Sequence, residues 1–183
     1  MPLTAQHETS QLVIVDVQEA LSSVMEADPL ASTVKNCSIL MQAAKLLEIS
    51  IICTEQYPKG LGATLPELAQ YTDAALRIEK TCFSCVDSSP FRSRLRGDRP
   101  QIVLAGMEAH ICVLQTALQL QESGKQVFVV EDAVISRNPA NKHNALLRLR
   151  QAGVIVSNTE SVVFEWLKVA EGDAFKQISK LIR

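Results

Sequence analysis

Cysteine, aspartate and lysine are side chains from which a nucleophilic site can be assembled, and this chain sets one of each where it could act. Cys112 follows the apolar run Ile102-Val103-Leu104-Ala105 and the turn Gly106-Met107-Glu108, and Val113-Leu114-Gln115-Thr116-Ala117-Leu118 after it begins a helix. A cysteine in the first turn of a helix lies among unpaired N–H groups at the positive end of the helix dipole. That setting favours the thiolate, which is the reactive form. The plainer alternative is a small buried hydrophobe, the state of most free cysteines. In Leu76-Arg77-Ile78-Glu79-Lys80, strand alternation puts Leu76, Ile78 and Lys80 on one face. A lysine on an apolar face needs a carboxylate or thiolate beside it, unless it ends the strand and reaches water. Asp16, which ends the run Leu12-Val13-Ile14-Val15, is the natural partner, although an aspartate there can equally cap a helix. Together the three are coherent. Asp16 can take the thiol proton, Lys80 can stabilise the thiolate, and backbone N–H groups at the turn can hold an oxyanion.

Bringing these residues together falls to the elements that carry them. Leu12–Val15 is a continuous β-branched run, the mark of a strand buried on both faces, and Ser50–Cys53, Ile102–Ala105, Val127–Val130 and Val154–Val156 repeat it. Between the runs, Val34, Cys37, Met41 and Ala44 recur at helical spacing, as do Leu114, Ala117, Leu118 and Gln121. Gly124 suits a helix stop, and Pro139 suits the first turn of a helix running towards Gly153. Buried strands alternating with helices predict an α/β three-layer sandwich, with a mostly parallel, Rossmann-like sheet and helices on both faces. Ligands bind such sheets beyond the carboxyl ends of the strands, so polar residues ending each run should converge on one rim.

The totals narrow the function classes. The 183 residues, 47% apolar and 21% charged, suit one domain spanning 1–183, with residues 1–10 expected as a flexible arm. A formal charge of −2 without a basic stripe gives no electrostatic reason to expect nucleic acid or an anionic membrane as partner. No signal peptide or bilayer-length apolar run is evident. The five scattered cysteines read as reduced thiols, so a cytoplasmic setting is expected.

Four segments carry a resemblance: Leu12–Gln18; Thr54-Glu55-Gln56-Tyr57-Pro58-Lys59-Gly60-Leu61-Gly62; Glu79-Lys80-Thr81; and Gly106-Met107-Glu108-Ala109-His110-Ile111-Cys112 through Ala117. In this order they resemble the isochorismatase-like cysteine hydrolases, and more narrowly the isochorismatase domain-containing subgroup, over nearly the whole chain. The resemblance implies that Asp16, Lys80 and Cys112 are the catalytic aspartate, lysine and nucleophile. It also implies a non-proline cis peptide at Met107–Glu108, an oxyanion held by the N–H groups of Glu108 and Cys112, and assembly as a homo-oligomer, dimer or larger. Related nicotinamidases hold a metal through an Asp-x-His segment. Here that place reads Thr54-Glu55-Gln56-Tyr57, and His7, His110 and His143 have no ligand spacing, so neither metal nor other cofactor is expected. Isochorismatases proper lack the nucleophilic cysteine, so their vinyl-ether chemistry does not transfer.

Candidate substrate contacts are Gln18, Glu55, Gln56, Tyr57, Phe83 and His110, mostly in turn-rich stretches after strands. Cys82-Phe83-Ser84-Cys85 lacks the second half of a zinc site and does not open a helix as a redox motif would. The expected function is metal-independent hydrolysis of a small carbonyl compound, an amide or related C–N bond, through a thioester. The alternative is a thiol-based sensor or non-catalytic binding protein on the same fold.

Overall fold

A computed structural model describes residues 2–182. Six strands form one parallel sheet: β1 Ser10–Val15, β2 Ser50–Gln56, β3 Ile78–Lys80, β4 Gln101–Met107, β5 Gln126–Ile135 and β6 Ile155–Ser157, in the order β3-β2-β1-β4-β5-β6. The helices are α1 Glu19–Ser22, α2 Ala27–Leu46, α3 Pro58–Leu61, α4 Pro66–Ala69, α5 Ser89–Arg94, α6 Leu114–Glu122, α7 Pro139–Gln151, α8 Thr159–Leu167 and α9 Gly172–Leu181. The expected three-layer α/β architecture is the one observed.

The uninterrupted apolar runs follow from burial on both faces. Leu12, Ile14, Cys53, Val103 and Phe128 pack on one side with residues of α2, α8 and α9, including Trp166. Their alternates Val13, Val15, Ile52, Ile102 and Leu104 pack on the other with Phe91, Cys112, Ala117 and Leu149. At about 25 cal/mol per Å² of apolar surface removed from water, these two layers supply the main drive for folding.

The chain builds outward from β1 to β2 and β3, then returns to β1's other edge to lay down β4, β5 and β6. The crevice where such an order reverses lies between the carboxyl ends of β1 and β4. Asp16 and the segment leading to Cys112 leave the sheet there. Gly106 near the end of β4 has φ 115°, and a Cβ on it would overlap the Val15 carbonyl oxygen. Only glycine lets β4 come this close to β1 at the level of the site. Gly106→Ala is expected to cost about 2–4 kcal/mol, read as a lower urea midpoint with an unchanged slope.

Two boundaries differ from those expected. β5 continues past Val130 to Ile135, because its pairing with β4 jumps from Leu104↔Val129 to Gly106↔Val134 across a bulge. The N-terminal segment is not a free arm from Ala5 onward. Ala5 is fully buried and its N–H donates to Glu165 (2.7 Å), while the N–H of Gln6 donates to the Gln101 side chain (2.7 Å). Backbone N–H groups of this segment need partners once they are packed away from water, and the Glu165 and Gln101 side chains supply them.

Candidate active site

Asp16 steps out of β1 with φ 51°, and its carboxylate is completely buried. Both oxygens are held. The Thr54 hydroxyl donates to Oδ1 (2.7 Å), and Lys80 Nζ donates to Oδ2 (2.7 Å). Lys80 ends β3, two strands away, and its side chain is also fully buried, so it does not reach out to water. Its ammonium further meets Gln56 Oε1 (2.7 Å) and the carbonyls of Cys82 and Phe83 (both 3.2 Å). A buried cation with this many acceptors is compensated; without Asp16 it would not be. Burial opposes the charge on Lys80, but the charge and hydrogen bond of Asp16 carry the net shift upward from the ordinary lysine value. Lys80 therefore stays protonated.

Cys112 sits in a π-helical turn, Ala109–Val113, between β4 and α6. Val113 N–H reaches back to the Glu108 carbonyl (3.3 Å), the wider π spacing that often marks functional sites. The Met107–Glu108 peptide ahead of the turn is cis. The Cys112 thiol is buried beside the Asp16 carboxylate. Burial pushes its pKa well above the ordinary thiol range, and the Asp16 charge and hydrogen bond push the same way, against Lys80. The thiolate expected from a helix start is not the resting form here. A nearby carboxylate in a dry site outweighs a partial dipole charge. The resting arrangement is a thiol facing a carboxylate that is locked to an ammonium.

Cys112 opens into a cavity of about 190 Å³ bordered by Gln56, Glu108 and Arg137 and by the apolar side chains of Leu21, Leu61, Phe83 and Ile111. Of the candidate contacts, Gln56 and Phe83 line it, and the others lie elsewhere. Gln18 is consumed by backbone, donating to the carbonyls of Gln56 (3.0 Å) and Gly62 (2.7 Å) and accepting from Gln56 N–H (2.7 Å). It fixes the β2 exit rather than facing the cavity. Glu55 points to the opposite sheet face, where it accepts from Thr64 N–H (2.9 Å) and hydroxyl (2.6 Å) and lies 3.7 Å from Arg77. Tyr57, 54% exposed, borders a neighbouring groove with Lys59, Cys82 and Ser88. His110 meets the Ser136 hydroxyl through Nδ1 (2.9 Å) and does not line the cavity. Glu108 contributes its side chain as well as its backbone, accepting from Arg137 N–H (3.0 Å) and so tying down the loop after β5. Leu21, Leu61, Ile111 and Arg137 were not singled out from the sequence.

Cys85 is buried, with its N–H donating to Thr116 (2.9 Å) and its Sγ 3.8 Å from Thr54 Oγ1. Burial raises its pKa to about 11. Every cysteine is a free thiol. Among the described residues, no group of three or more His, Cys, Asp or Glu is placed to hold a metal ion.

A profile of the isochorismatase domain matches residues 10–161. The chain belongs to the isochorismatase family. It is 40% identical over 174 residues to isochorismatase domain-containing protein 2 of Danio rerio, covering 94% of this chain and 86% of that one. Among solved structures, the MAR1 ribonuclease of Caenorhabditis elegans superposes with a TM-score of 0.90 at 36% identity, covering 98% of this chain and 92% of the other. The YcaC product of Escherichia coli, described as an octameric hydrolase of unknown specificity, shares the fold at a TM-score of 0.91 and 24% identity, with 99% and 91% covered. The isochorismatase chain described here thus carries a hydrolase fold of this superfamily. None of its described helices is long and apolar enough to cross a membrane.

Proposed function

We propose that the protein is a metal-independent cysteine hydrolase of a small carbonyl compound, cleaving an amide or related C–N bond. The observation that carries this reading is the buried Cys112 thiol facing an Asp16 carboxylate whose two oxygens are fixed by Thr54 and Lys80. As Cys112 Sγ attacks the carbonyl carbon, its proton passes to Asp16, and the N–H groups of Glu108 and Cys112 receive the developing oxyanion. Asp16 then returns the proton to the departing nitrogen, leaving a thioester on Cys112. Water, deprotonated by Asp16, attacks the thioester and releases the acid. Lys80 holds the Asp16 carboxylate in place and steadies the sulfur while negative charge resides on it.

The cavity supports a small substrate, since about 190 Å³ lies below the roughly 300–1,000 Å³ of sites for drug-sized ligands. RNA, suggested by the name of the nematode relative, fits less well with a formal charge of −2 and a cavity holding one guanidinium. A peroxide sensor fits less well too, because such cysteines have a lowered pKa and good exposure. Five free thiols suit a reducing, cytoplasmic setting, and the octameric description of YcaC suits a homo-oligomer.

Turnover over a panel of small amides, compared between the wild type and Cys112→Ala, tests the reading. The variant is expected to lose about 10³-fold or more of the rate on any amide the wild type cleaves. Equal turnover by both proteins would overturn the mechanism. Cysteine-dependent cleavage of RNA with none of amides would replace the substrate class.

A further inference from the structure

Arg137 follows β5, four residues after the bulge that carries this strand onward, and it faces the Cys112 cavity from across the crevice. Its backbone is fixed by the Glu108 carboxylate, which accepts from its N–H (3.0 Å). The other oxygen of Glu108 lies 3.6 Å from Nε, the inner edge of the guanidinium. The two terminal nitrogens make no hydrogen bond among the described residues, and the side chain is 60% exposed at the cavity mouth. Every other charge at the site is spoken for: Asp16 by Lys80 and Thr54, and Glu108 by Arg137's own backbone and inner edge. The rest of the wall is apolar, from Leu21, Leu61, Phe83 and Ile111.

We propose that Arg137 is a specificity-determining residue that receives a carboxylate on the substrate, so that the class acted on is short acyl compounds bearing an acid group. This deepens the hydrolase reading and rests on it. A guanidinium fork matches the two oxygens of a carboxylate, and two parallel N–H···O bonds fix the orientation of a small molecule as well as its affinity. The apolar ring would accommodate the few carbons between that carboxylate and the carbonyl presented to Cys112. A neutral substrate would leave the outer edge of Arg137 to water.

Two alkylating reagents that differ only in charge read this directly, without any substrate being known. With iodoacetate or iodoacetamide, Cys112 Sγ forms a bond to the methylene carbon, the C–I bond breaks, iodide leaves, and the thiol proton passes to Asp16 or to water. Rates at Cys112 are measured by mass spectrometry for each reagent near pH 8, and their ratio is normalised to the same ratio for free glutathione. The normalised preference for iodoacetate in the wild type is expected to be about tenfold, the worth of a charge-assisted hydrogen bond at a partly exposed site. Arg137→Gln keeps the backbone contact to Glu108 and is expected to return the ratio to that of glutathione, while Arg137→Lys retains part of the preference. A wild-type ratio equal to glutathione's, unchanged in Arg137→Gln, would overturn the carboxylate site and leave the nucleophile intact. Failure of both reagents to modify Cys112, even at high pH, would overturn the nucleophile and the carboxylate site with it.

Discussion

Lys80→Met is expected to destabilise the fold by about 3–5 kcal/mol at neutral pH, the cost of stranding a buried carboxylate whose partner has been removed. The wild-type pair is fully buried at 2.7 Å, and the Lys80 ammonium also satisfies Gln56 and two backbone carbonyls. Methionine fills much of the same volume, so little of the loss can be assigned to a cavity. A second substitution separates charge from packing. Adding Asp16→Asn to Lys80→Met should recover much of the loss, because an amide can remain neutral in the site. Urea unfolding of the four proteins measures this; a deficit that Asp16→Asn does not recover would point to packing instead.

Asp16→Asn is expected to move two properties of Cys112 in opposite directions. Turnover should fall by about 10²–10⁴-fold, because the amide cannot accept the thiol proton or activate water for the second step. The thiol itself should become more acidic. Of the influences on Cys112, burial remains, but the Asp16 charge and the hydrogen bond that hold its proton both disappear, while Lys80 stays to favour the thiolate. Each unit by which the pKa falls raises the thiolate fraction at neutral pH tenfold. A site that relied on a preformed thiolate would behave otherwise, since making the thiol more acidic would then help. Loss of turnover together with faster alkylation is thus the signature of an aspartate acting as base.

The sheet was legible in the sequence because strands buried on both faces leave continuous apolar runs, here recurring between stretches of helical spacing. Asp16 was legible as the end of such a run, Lys80 from strand alternation and Cys112 from its place at a helix start after a run, all at the rim where a parallel sheet gathers its polar groups. Within β2 the same rule, applied one step further, would have separated the true neighbours of the site from the false one. Thr54 and Gln56 share the face of Ile52 and meet Asp16 and Lys80, whereas Glu55 shares the face of Cys53 and turns to Thr64. Arg137 left no periodic signal. Its placement depends on a bulge that lengthens β5 past Val130, and bulges are set by tertiary pairing. The protonation of Cys112 is not legible in the sequence for a related reason. Position at a helix start can be read from order along the chain, but burial and a carboxylate on another strand cannot.

The most direct test is the rate of Cys112 alkylation by iodoacetamide as a function of pH, in the wild type and in Asp16→Asn. The wild-type rate is expected to keep climbing through and beyond the ordinary thiol range near 8.5, with no plateau in the neutral region, and the Asp16→Asn profile should shift to lower pH. A wild-type plateau already at neutral pH, unmoved by the substitution, would contradict a thiol held by Asp16 and with it the role of Asp16 as the base.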